Sequence, residues 1–86
     1  MDICRGSLVY SRAGRDKGKL FLVLSAEDEF VYLADGIIRT VEKPKKKKLK
    51  HINKTNTVLD MDFGNISNSM VRKALSDHSI QDYVGR

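Results

Sequence analysis

The run Leu20-Phe21-Leu22-Val23-Leu24 constrains this fold more than any other segment. Five apolar residues follow one another without a polar break. A glycine-containing loop precedes them and the charged turn Ala26-Glu27-Asp28-Glu29 follows. Strand side chains alternate between two faces, so an unbroken apolar run needs cover on both. Periodicity alone would equally allow a buried helical segment, but the short length and the flanking turns favour a central strand.

The rest of the first half is also β-prone. Ser7–Ser11 and Phe30–Ala34 are rich in β-branched, aromatic or aliphatic residues and read as strands. Asp35-Gly36 is expected to form a two-residue type I′ hairpin. It would lead into a fourth strand, Ile37–Val41, with Ile37, Arg39 and Val41 on one face. Pro44 lacks an N–H and is expected to end that pairing. A short fifth strand at Leu49–Ile52 would then close a barrel. Five short strands in about fifty residues point to a mainly β fold, a small five-stranded barrel rather than a helical bundle.

Residues 55–86 change character. Asn53–Thr57 is polar and reads as a linker, so a barrel domain is expected over 1–54 and an extension over 55–86. The extension is expected to carry a short C-terminal helix at about 68–77. Ser67 is placed as its N-cap, and Ile66 and Val71 as a hydrophobic staple. Met70, Val71, Ala74 and Leu75 form one apolar side. That side would cover the outer face of Leu20–Leu24. Residues from Asp77 onward are expected to fray.

Charge narrows the choice of partner. The chain has 86 residues and a net charge of +5, unevenly spread. Residues 1–54 carry 13 Lys/Arg against 7 Asp/Glu, while residues 55–86 carry 3 against 4. Arg39–Lys54 alone holds eight cations and one acid, Glu42. A field of one sign in one segment suggests a polyanionic partner. No apolar run is long enough for a transmembrane helix, and Met1–Gly6 lacks a secretory signal's apolar segment. The expected compartment is the cytoplasm, with no membrane partner.

Two segments are candidates for anion contact. The first is Ser11–Lys19, where Gly14 and Gly18 lie among Arg12, Arg15, Lys17 and Lys19. Glycines let backbone approach a ligand, and guanidinium groups match phosphate oxygens. Only three residues separate Gly14 from its Gly-Lys pair and Leu20 follows, so this is not a nucleotide-binding P-loop. The alternative is a solvated hairpin loop with scattered charges. The second segment is Lys43, Lys45, Lys46, Lys47, Lys48, Lys50 and His51, with Arg39 upstream. Lysines act as hydrated point charges and make diffuse phosphate contacts. A disordered charged loop and a nuclear-import signal are equally consistent with its composition.

Of the aromatic residues Tyr10, Phe21, Phe30, Tyr32, Phe63 and Tyr83, most are expected in the core. Tyr10, beside the glycine loop, is the best candidate to stack on a base. No catalytic constellation stands out. His51 and His78 lie in different segments, and Cys4 has no evident base partner. No metal-ligand spacing is present. The chain is therefore expected not to be an enzyme and to use no cofactor, metal or small-molecule substrate.

Three stretches carry a family resemblance: S-R-A-G-R-D-K-G-K (11–19), A-D-G (34–36) and R-T-V-E-K-P-K-K-K-K-L-K-H (39–51). Over Gly6–Ile52 the chain resembles the small bacterial KOW-domain RNA-binding proteins, relatives of KOW-type large-subunit ribosomal proteins. The resemblance implies an SH3-like barrel, association with RNA or the ribosome, and no enzymatic activity. It makes Gly18 the glycine of the KOW loop, lined by Arg12, Arg15, Lys17 and Lys19, with the lysine run beside it. The expectation is a monomeric RNA-binding protein of the translation apparatus. The alternative is an SH3-like interaction module that binds an acidic protein.

Overall fold

The computed structural model describes residues 3–84, with backbone alone at 79–84. The strands are β1 (Ser7–Ser11), β2 (Leu20–Ala26), β3 (Phe30–Ala34), β4 (Lys45–Lys48) and β5 (Ile52–Val58). One α-helix follows, α1 (Asn68–Val84), and short 3-10 turns occupy Gly14–Asp16, Leu49–His51 and Phe63–Asn65. The strands form one sheet in the order β4-β3-β2-β1-β5, with all neighbours antiparallel.

The connection from β4 to β5 shapes this sheet. Laid flat, five strands would hold the two edges roughly 19 Å apart, at about 4.8 Å per strand. The chain joins those edges through Leu49–His51 alone, and a 3-10 turn advances only about 2 Å per residue. The sheet therefore curls until its edges approach. β4 and β5 share no ladder pairing among the described residues. The sheet thus stays open where the sequence led to a closed barrel.

β2 is covered on both faces, as its unbroken apolar run requires. Phe21 and Val23 pack with Ile3, Val9, Val31, Leu33 and Ile52 on the inner face. Leu22 packs with Leu8, Ala34 and Val71 on the outer face, under α1. Phe21, Leu22 and Val23 are all fully buried. The helix is positioned by its own first turn. Ser67 Oγ accepts the Met70 N–H at 3.2 Å, the expected N-cap. Ile66 joins Val71 in the outer cluster, as the staple predicts. Leu75 packs there too. The helical backbone continues to Val84, seven residues beyond the expected end at Asp77.

The region after β3 departs most from expectation. Ile37–Val41 is not a strand, and Asp35-Gly36 is not a type I′ hairpin. Such a turn needs two residues at positive φ. Here Gly36 has φ of 79°, and no non-glycine residue is positive among the described residues, Asp35 included. Asp35 explains the loop. Its Oδ1 accepts the N–H groups of Ile37, Ile38 and Arg39 at 2.9, 3.1 and 2.9 Å. These donors are used locally and have nothing left for a ladder. The fourth strand is instead the lysine run, Lys45–Lys48, paired with β3 from Leu33↔Lys45 to Phe30↔Lys48. Pro44 precedes that pairing rather than ending it. Leu49–His51 is a 3-10 turn, not a strand, and Asn53–Thr57 lies within β5, not a linker.

Candidate nucleic-acid interface

Strand direction sorts the loops into two ends. β1 finishes, β2 starts, β3 finishes, and β4 and β5 start at the same end of the sheet. The Arg12–Lys19 loop and the 35–44 loop both lie there. At the other end the β2–β3 turn presents Glu27, Asp28 and Glu29, all exposed. The two loops at the first end are mainly basic and the β2–β3 turn is acidic, and the Leu49–His51 turn runs between them: Leu49 N–H donates to the Glu29 carbonyl at 2.9 Å.

The Arg12–Lys19 loop is built on its own backbone. Ser11 N–H donates to the Lys19 carbonyl at 3.0 Å, and Gly18 N–H to the Ser11 carbonyl at 2.7 Å. Lys19 N–H reaches the Asp16 carbonyl at 2.9 Å. Gly18 closes this ring at φ of 86°, in a conformation that favours glycine, and faces open space. Gly14, also at positive φ, lies under the Lys47 ammonium. Arg12, Arg15, Lys17 and Lys19 are all exposed. Their side chains make no hydrogen bond or ion pair among the described residues.

The lysine run is divided between two faces. Lys45 and Lys47 lie opposite Leu33 and Val31, on the inner side. Lys47 reaches across the mouth of the curled sheet, and its Nζ donates to the Ala13 carbonyl at 2.9 Å. Lys46 and Lys48 lie on the other face, opposite Tyr32 and Phe30. Lys46 Nζ sits 4.3 Å from the centre of the Phe30 ring, a cation–π contact. Lys50 lines a hollow with Asp28, Glu29 and Leu49, towards the acidic turn. His51 returns to the basic end, where its carbonyl accepts the Arg12 N–H at 2.8 Å. Lys43 is exposed in the 35–44 loop just ahead of β4. The structure thus brings the glycine loop together with Lys43, Lys45, Lys47 and His51. It separates Lys46, Lys48 and Lys50 from them.

Arg39 is tied down. Its Nη2 lies 3.2 Å from Asp16 Oδ2, which links the 35–44 loop to the glycine loop. The Asp16 side chain is only 8% exposed and that of Arg39 30%. Sequence reasoning passed over Asp16; the signal was an acid placed inside a basic loop. By contrast, the Lys73–Asp77 pair on α1 is 79% and 56% exposed. Removing a partner from a buried acceptor costs about 1–3 kcal/mol, whereas an exposed i,i+4 pair contributes about 0.3–0.5. Arg39→Ala is therefore expected to lower unfolding free energy several-fold more than Lys73→Ala, measured by urea titration.

The 35–44 loop is also fastened to α1. Arg72 Nη1 donates to the Gly36 carbonyl at 2.6 Å. Asn68 Oδ1 accepts the Val41 N–H at 2.8 Å, and Asn68 Nδ2 donates to Glu42 Oε1 at 2.9 Å. The Asn68 amide, aided by a backbone N–H of Glu42, holds the Glu42 carboxyl below its ordinary range.

Of the aromatic residues, Phe21 is fully buried in the inner core. Tyr10, Phe30, Tyr32 and Phe63 are half-buried, and the Tyr83 side chain lies outside those described. Tyr10 sits opposite Leu20 and Asn53 in the ladder, one residue before the strand ends at the basic loop. His78 Nδ1 is 3.5 Å from Thr57 Oγ1, far in the chain from His51. Among the described residues no helix is long and apolar enough to cross a membrane. Compared with known proteins, the chain matches no family model and no curated protein.

Proposed function

We propose that this chain is a non-enzymatic RNA-binding protein of the KOW type, built on a curled five-stranded sheet of SH3-like order and associated with structured, ribosomal RNA in the cytoplasm. One observation carries the reading. Four exposed cations without a side-chain partner among the described residues, Arg12, Arg15, Lys17 and Lys19, stand on a backbone-braced loop at the end of the sheet that also holds Lys43, Lys45 and Lys47. Exposed guanidinium and ammonium groups on an ordered loop suit phosphate oxygens, and the acidic β2–β3 turn repels a polyanion from its own part of the surface. Contacts of this kind follow the shape and backbone of RNA rather than its sequence.

The test is the salt dependence of binding to ribosomal RNA fragments. Neutralising about five phosphates predicts a slope of about −3.5 in log K against log salt, at ~0.7 per phosphate on a single strand. That slope weakens binding about a hundredfold between 50 and 200 mM salt. An affinity that ignores salt over this range overturns the reading.

A further inference from the structure

Ile37 and Ile38 are 70% and 66% exposed. Single exposed apolar residues are ordinary on protein surfaces. These two are adjacent, and their loop holds them out rather than letting them fold down. Asp35 Oδ1 gathers three successive N–H groups beneath them. Arg72 fixes the Gly36 carbonyl, and Asn68 fixes the Val41 N–H. A Cβ at Gly36 would collide with the Asn68 backbone oxygen and the Arg72 side chain, so this loop is packed closely on α1. Both isoleucines line a shallow groove with Lys19, Leu20, Arg72 and Leu75. Asp35 also borders it, but its carboxylate is engaged by its own loop. The rim of the pair is therefore cationic and continuous with the glycine loop, to which Arg39–Asp16 joins it.

We propose that Ile37 and Ile38 form an apolar anchor that packs against an unpaired base of the bound RNA; the proposal rests on the RNA-binding reading above. Charge and size favour a base over a protein surface. A stable protein interface buries about 800 Å² on each partner, far more than two side chains offer. One base needs only a small apolar seat beside phosphate contacts, and apolar side chains do wedge against bases. Paired bases in an A-form stem present no open face, so the anchor selects loops and bulges. Because the backbone is already ordered, seating the base costs little loop entropy.

The test uses the full chain and two RNA hairpins with the same stem, each closed by a non-nucleotide linker so that no loop base is offered, one carrying a bulge of two unpaired purines. The wild type is expected to bind the bulged hairpin about tenfold more tightly. Ile37→Ser/Ile38→Ser is expected to bind both hairpins with the wild type's affinity for the perfect stem, at an unchanged salt slope. Ile37→Leu/Ile38→Leu should keep the preference. Both positions are exposed, so thermal unfolding should be the same in all three proteins. A wild type without preference, or a serine variant that loses equally on both hairpins, overturns the anchor but leaves RNA binding standing. Unchanged RNA affinities with loss of a ribonuclease-resistant acidic protein partner would also overturn it, placing the pair in a protein contact. Failure of the wild type to bind either hairpin at low salt overturns the RNA reading itself.

Discussion

Removing the charge from the glycine loop, as Arg12→Gln/Arg15→Gln/Lys17→Gln/Lys19→Gln, is expected to weaken RNA binding about a hundredfold or more at physiological salt. The salt slope should fall by about 2.8, at ~0.7 for each lost phosphate contact. The unfolding temperature should move by only a few degrees, because these four side chains are exposed and make no bond among the described residues. The control is equally specific. Lys46→Gln/Lys48→Gln/Lys50→Gln removes three charges from the other face and from beside the acidic turn. It should cost distinctly less affinity, although the net charge changes almost as much. Equal losses in the two variants would mean that overall charge, and not the placement of the loop, attracts the RNA. Lys47 and Arg39 are left out of both variants. They bond to Ala13 and Asp16, so replacing either would mix a structural effect with a binding one.

Phe21→Ala is expected to remove about 3–5 kcal/mol of stability, the usual range for emptying a buried phenylalanine site. Phe21 is fully buried in the inner cluster, which it shares with Val9 on β1 and the β3 side chains Val31 and Leu33. A chain of this length has roughly 4–13 kcal/mol in total, at about 0.05–0.15 kcal/mol per residue. The variant should therefore lose a large share of its stability, read as a fall in the urea midpoint with little change in slope. The inner cluster cannot relax around the loss, because the same strand is held from the outside by Leu22 against Leu8, Ala34 and Val71. A loss below about 1 kcal/mol would show that the inner side is loosely packed and that the outer cluster alone organises the sheet.

The two sides of β2 were legible in the sequence because the physical cause is local and direct. An unbroken apolar strand needs two covers, and Ser67, Ile66 and Val71 announced where the second cover begins. The glycine loop was legible for a similar reason, since its cations and its turn residues are neighbours in the chain. The lysine run was not. Lysine has a low intrinsic preference for strands, and a run of four reads as a solvated loop. It becomes β4 only because the β3 edge offers Phe30–Leu33 as a ladder. On an edge strand, lysines also discourage pairing with other chains. The pull of β-branched Ile37, Ile38 and Val41 towards a strand lost to one carboxylate, Asp35, which captures the donors that a ladder would have used.

By itself, then, the sequence determined a β-rich chain with a doubly covered central strand, a capped helix to cover it, and a basic first half. Those features depend on side-chain alternation, capping and composition, which neighbouring residues decide. Tertiary structure alone decided which cations share a surface. Strand pairing sends alternate lysines to opposite faces, and strand direction gathers the glycine loop, Lys43 and the Ile37–Ile38 loop at one end. It also bound Arg39 to a buried Asp16, and so distinguished a cation that holds the fold from those left open to a partner.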